Sequence, residues 1–268
     1  MEENLNGISK IMHDDANNVT DIYIDLKKVA DSLQDKLRPE DTSTGYCYVQ
    51  KEILNGIIRQ DLSNGCESVG CGAFNEENIY RSMPCGNIDA KIMYIKKMPS
   101  RFDSICMNTF VDRDGITLSM ILHKLGIKRG DVYMTNFVKC SSNKISNESC
   151  RKCAERYLRN EIANIVRPKI IVCDGISLLK LMYNTETVKE ISFVDVPGQI
   201  LLPDNINYGT VYEVDIRNPY NNDAFFSTKI MAAYSVSSVL AKEGADYNRC
   251  KIDLWNQLLT AINVSQLD

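Results

Sequence analysis

Long apolar runs are missing from this chain of 268 residues. No stretch approaches the roughly 18 consecutive apolar residues that a membrane-spanning helix needs, so a transmembrane segment and a membrane partner are excluded. The opening Met1-Glu2-Glu3-Asn4-Leu5-Asn6 is acidic and has no apolar core, so no secretory signal is expected and the chain reads as soluble and cytoplasmic. Histidine is scarce: His13 and His123 are the only two. Internal repeats and low-complexity tracts are absent too. Hydrophobic residues at 44% and charged residues at 25% then describe an ordinary globular protein.

Cysteine, by contrast, is plentiful. Ten cysteines without an export signal point to free buried thiols, a metal or an iron–sulfur cluster rather than to disulfides. The net charge of −4 hides an asymmetry: residues 91–170 carry 16 Lys and Arg against 7 Asp and Glu, leaving 15 against 28 elsewhere. A basic middle in an acidic chain suits one face turned to a polyanion, although scattered solvated helix charges would look the same.

Residues 1–45 read as an acidic helical appendage and linker, with 10 acids against 5 bases and an amphipathic stretch over Val19–Leu37. A second helix is predicted over Val49–Leu62. Strands are predicted at Ala90–Ile95, Val132–Val138, Lys169–Cys173 and Val211–Asp215. Helices are predicted at Asp114–Leu125, Ser149–Val166, after Gly175 through Leu181, at Asp223–Ala241 and at Ile252–Ile262. The alternation predicts an α/β fold, a three-layer α/β/α sandwich around a mostly parallel four-stranded sheet. The expected division is 1–45, an α/β domain over 46–245, and a C-terminal helix over 246–268. Ligands of such sheets bind beyond the carboxyl ends of the strands.

The residues at those ends carry a resemblance. Gly86–Ile95 reads GNIDAKIMYI, like the "GNPDAKIMFIG" of the iron–sulfur uracil-DNA glycosylases, the family usually numbered four. The agreement runs ungapped through that family's "GEAPG", where Lys96-Lys97-Met98-Pro99-Ser100 stands here, and through "PFVGRAG", where Thr109–Gly115 stands. It continues through Gly126–Cys140, like "GLKREDVYITNVVKC", and Arg167–Val172, like "RPKVIVALG".

The resemblance implies a uracil-DNA glycosylase-like fold, DNA as partner, base excision as the family chemistry and a [4Fe–4S] cluster. Cys140 and Cys153 match its third and fourth ligands, with a loop three residues shorter between them. Cys66 and Cys71 are the candidates for the first pair, although they form C-x4-C where the family has C-x2-C. Cys150 and Cys85 are possible substitutes. Cys47, Cys106, Cys173 and Cys250 read as ordinary thiols.

Phe110 stands where the family stacks an aromatic ring on the extruded base, and Asn136 where an asparagine reads the base edge. Met98, Pro99 and Ser100 complete that binding wall, and Lys96, Arg101, Lys139 and Arg217 are expected around the mouth, where phosphates run. Each has a plainer reading as well: Phe110 as core, Asn136 as a turn former, Lys96 and Lys97 as solvated charges. The catalytic positions depart from the family. Its carboxylate is replaced by Lys97, and its "HPS" histidine is matched to Asn218 in Asn218-Pro219-Tyr220. A lysine facing a developing cation at about 4 Å costs on the order of 4 kcal/mol, about three decades in rate. The expectation is a DNA- or partner-binding pseudoenzyme with lost or strongly reduced excision. Two alternatives remain open: an active glycosylase of altered base specificity or chemistry, with Lys97 as an amine nucleophile, and a docking subunit of a DNA-processing complex, contacting its protein partner through 1–45.

Overall fold

The computed structural model describes residues 82–106, 108–141, 146–183, 194–195 and 206–266. The predicted appendage and linker, the helix over 49–62, and Cys47, Cys66 and Cys71 lie outside the described residues. Six strands form one sheet: β1 (Ile92–Lys96), β2 (Val132–Asn136), β3 (Ile170–Asp174), β4 (Val194–Asp195), β5 (Val211–Asn218) and β6 (Asn221–Ala233). Their order is β2-β1-β3-β6-β5-β4. The first four in that order run parallel; β5 returns antiparallel beside β6, and β4 antiparallel beside β5.

The strands β1, β2 and β3 are apolar runs because both faces are covered. Alternate residues serve opposite layers. Met93, Ile95, Tyr133 and Ile171 meet α3 (Asn147–Arg156), the π-helical segment Glu161–Val166 and α4 (Ile176–Tyr183). Ile92, Tyr94, Met134 and Val172 meet α2 (Arg113–Lys124), α5 (Val236–Leu240) and α6 (Gly244–Gln266). The expected α/β/α class therefore holds, with six strands in place of four. A short helix, α1 (Arg101–Ile105), follows β1 and was not foreseen; Ser100 opens it with a capping box, its hydroxyl accepting from the Asp103 amide. The stop expected at Arg167-Pro168 is real: Arg167 takes a left-handed conformation, φ 52, just before the proline.

One element is corrected. The segment predicted as a helix over Asp223–Ala241 forms most of β6, and only Val236–Leu240 is helical. Its periodicity is two: Phe226, Thr228 and Ile230 turn inward while Phe225 and Ser227 face solvent. The predicted fourth strand at 211–215 exists but runs antiparallel, so the fourth parallel strand is β6. That difference moves part of the expected site.

Candidate functional site

Lys96, Asn136 and Asp174 end β1, β2 and β3. In-register pairing sets Lys96 beside Asn136, and strand alternation turns all three toward the α2 and α6 layer. The chain from Met98 to Asp112 folds across this row, with Pro99 buried and Ser100 capping α1. The ends of β1 and β2 are stitched together as the Phe137 and Val138 amides donate to the Lys96 and Lys97 carbonyls at 2.8 and 3.1 Å.

Lys96 is interior, only 8% exposed. Its Nζ donates to Asp103 Oδ2 and, at 3.3 Å, to Asp112 Oδ2, and it lies 4.6 Å from the centroid of the Phe110 ring. Burial pushes the ammonium down, but Asp112 and Asp103 more than compensate and hold it above the usual lysine range. Asp112 is held below the carboxylate range, because Lys96 and the Gly115 amide outweigh its burial. Burial and Asp112 hold Asp114 above that range. Asp103 is fully buried and also accepts from the Val111 and Ser100 amides.

Phe110 adopts φ 57, a left-handed conformation that is costly for a bulky residue. Two features hold it there. Arg129 Nη2 donates to the Thr109 and Phe110 carbonyls at 3.1 and 2.7 Å. The first turn of α2 comes so close that a Cβ on Gly115 would lie 2.1 Å from the Phe110 carbonyl oxygen. The ring is buried and meets Tyr94 at 83° with centroids 5.5 Å apart.

Asn136 is buried beside Phe110, its Nδ2 donating to Thr109 Oγ1 at 2.7 Å and to Ser82 Oγ at 3.3 Å. Its Oδ1 has no partner among the described residues, an open buried acceptor in the site. Asp174 accepts from the Tyr94 hydroxyl at 2.7 Å; burial pushes this carboxyl up to about 6. Burial and Asp174 in turn raise the Tyr94 phenol.

The structure brings Lys96, Met98–Ser100, Phe110 and Asn136 together, with Lys97 and Arg101 exposed at the same end of the sheet. It does not bring Asn218 or Arg217 there. Because β5 is antiparallel, its last residues lie at the amino end of the parallel strands, where Asn218 pairs with Asn221 and donates to Asn164 Oδ1 at 2.6 Å. A cleft joining Asn136 and Asn218 is thereby corrected. The residues that follow the fourth parallel strand are Tyr234, Ser235 and Val236, with Ser235 capping α5 and no histidine at either place.

Two expected phosphate contacts are turned inward. Lys139 is 2% exposed, its Nζ paired with Glu161 Oε1 at 2.5 Å and donating to Thr135 Oγ1 at 2.7 Å. Lys96 is committed to its two carboxylates. Sequence reasoning missed Asp103, Asp112, Arg129, Tyr94 and Asp174; one signal was available, since Asp112 and Asp114 stand where "PFVGRAG" has glycine and alanine.

Of the expected cluster ligands, Cys140 and Cys153 are half-buried, and Cys150 is buried one helical turn before Cys153. Cys153 packs at the margin of the apolar core and Cys150 within it, two thiols one turn apart on α3 that suit a thiolate-bound group. Cys85 lies in the opposite layer, with Arg129 Nη2 at 3.5 Å from its sulfur, so it does not join them. No group of three metal-binding side chains occurs among the described residues. None of the described helices is long and apolar enough to cross a membrane.

The family model of the Uracil DNA glycosylase superfamily matches residues 83–259. The chain is similar to a type-4 uracil-DNA glycosylase of Archaeoglobus fulgidus, 29% identical over 153 residues, covering 56% of this chain and 73% of that protein. It is similar also to the type-4 enzymes of Thermotoga maritima and Saccharolobus solfataricus, 30% and 32% identical, each over 42% of this chain. There the chain spans only 58% and 54% of the relatives' lengths. The matched region takes in all six strands of the described sheet, and on that extent the chain belongs to the uracil-DNA glycosylase superfamily.

Proposed function

We propose that the protein binds DNA at the carboxyl end of its sheet and has lost, or retains very little, uracil-excising activity. The observation that carries the reading is the first strand's end. Two consecutive lysines occupy it, Lys96 buried and Lys97 exposed, where the resembled motif carries its carboxylate. A glycosylase must stabilise a cationic sugar and an anionic leaving base. An ammonium at Lys97 opposes the first task, and neither Asn218 nor Ser235 supplies an imidazolium for the second. Two features support the DNA reading: the open buried acceptor Asn136 Oδ1 and the exposed cations Lys97 and Arg101 at the same end of the sheet. Lys97 also lacks the desolvated pocket in which a lysine nucleophile works.

A [4Fe–4S] cluster belongs to the same proposal, held by Cys140 and Cys153 with Cys66 and Cys71, and Cys150 as a substitute. When bound it would tie distant segments of the chain together. The test is twofold. Uracil-containing single- and double-stranded oligonucleotides should be left intact, while fluorescence anisotropy should detect binding that weakens as salt rises. Turnover at the rate of an ordinary glycosylase would refute the lost activity; absence of binding at low salt would refute the DNA reading.

A further inference from the structure

Phe110 is held at a strained backbone angle by Arg129 and by the close approach of Gly115, yet its ring is not open. Aromatic partners stack with centroids roughly 4.5–7 Å apart. Lys96 Nζ stands 4.6 Å from the Phe110 centroid, inside the space a stacked base would need. The ammonium is not there by accident of a loose side chain. It is buried, bound to Asp103 and Asp112, and Asp103 is itself fixed by the Val111 and Ser100 amides. Withdrawing it would leave a buried carboxylate uncompensated. The resembled motif carries glycine at this position, which would leave the ring face free.

We infer that Lys96 is a plug: clamped by Asp103 and Asp112, it fills the ring face of Phe110 and keeps an extruded base out of the cleft. The inference rests on the DNA-binding reading above and deepens it: this chain engages the strand and rejects the base. Lys96 is then the residue that sets what the cleft admits, independently of the chemistry lost at Lys97.

The test uses the full chain and two single-stranded oligonucleotides that differ only in carrying deoxyuridine or an abasic site. Wild type should bind both equally, and Lys96→Gly should bind the deoxyuridine strand at least tenfold more tightly than the abasic one. Should Lys96→Gly fail to fold by circular dichroism, Lys96→Gly with Asp112→Asn carries the test, since asparagine still caps α2 and removes one of the unpaired carboxylates. A folded variant that binds the two strands equally overturns the plug and leaves the DNA reading standing. If neither protein binds either strand, the DNA reading falls, and free uracil is followed by saturation-transfer NMR. A signal with the variant and none with wild type supports the plug; the same result for both proteins overturns it.

Discussion

Among the described residues, Asp174 is a buried carboxyl that changes charge close to neutral pH. Burial lifts its folded value to about 6, above the value of an unfolded aspartate, so its contribution to stability is complete below about pH 4 and is lost as pH rises through about 6. Above that window the ionised group costs on the order of 3 kcal/mol. Asp174→Asn keeps an acceptor for the Tyr94 hydroxyl and removes the charge. It should therefore melt higher than wild type at pH 7.5 and no higher at pH 4, read by thermal unfolding across pH. Glu161 makes the opposite case. Its carboxylate neutralises the buried Lys139 and accepts from Thr135 Oγ1 at 2.7 Å. Glu161→Gln strands an ammonium in the core and should cost roughly 3–5 kcal/mol in urea unfolding. Neither role was legible in the sequence. Lys96 and Lys139 looked like surface cations because strand alternation turns Lys96 inward, Lys139 sits on the loop after β2, and their carboxylate partners come from 7 to 22 residues away along the chain.

The elements were more legible than their side chains. Apolar runs flanked by Gly and Pro marked β1, β2 and β3, and the Arg167-Pro168 stop fell where expected. The error at 223–241 has a physical cause. Ala224, Met231, Ala232 and Ala233 are good helix residues taken singly, and burial on both sheet faces near the end of β6 blurs the period-two pattern that the earlier residues keep. That misreading also hid the fourth parallel strand, so that β5 was taken for it. The α2 start offers a test at this scale. A methyl group on Gly115 would collide with the Phe110 carbonyl at 2.1 Å, where backbone rather than a pliant side chain must yield. Gly115→Ala should lower stability by about 1–3 kcal/mol or more and release Phe110, seen as increased amide exchange over 108–112.

Across the whole molecule, the two ends of the sheet are chemically unlike. The carboxyl end gathers Lys96, Phe110, Asn136 and Asp174 under a strained segment, and it is the end proposed above to meet DNA. Binding there should lose affinity steeply between about 50 and 200 mM salt. The cluster proposal is tested on the same scale: Cys153→Ser should lower iron and sulfide content and the melting temperature together, and unchanged values for both would remove Cys153 from the ligand set. The amino end holds the turn between β5 and β6, Asn218-Pro219-Tyr220-Asn221, with the Tyr220 side chain 73% exposed. A two-residue connection projecting from the end of the sheet remote from the cleft is a natural handle. A fluorophore or an affinity peptide inserted there would leave the opposite end accessible, so that the protein could be immobilised on a surface in one orientation while its ligands are exchanged.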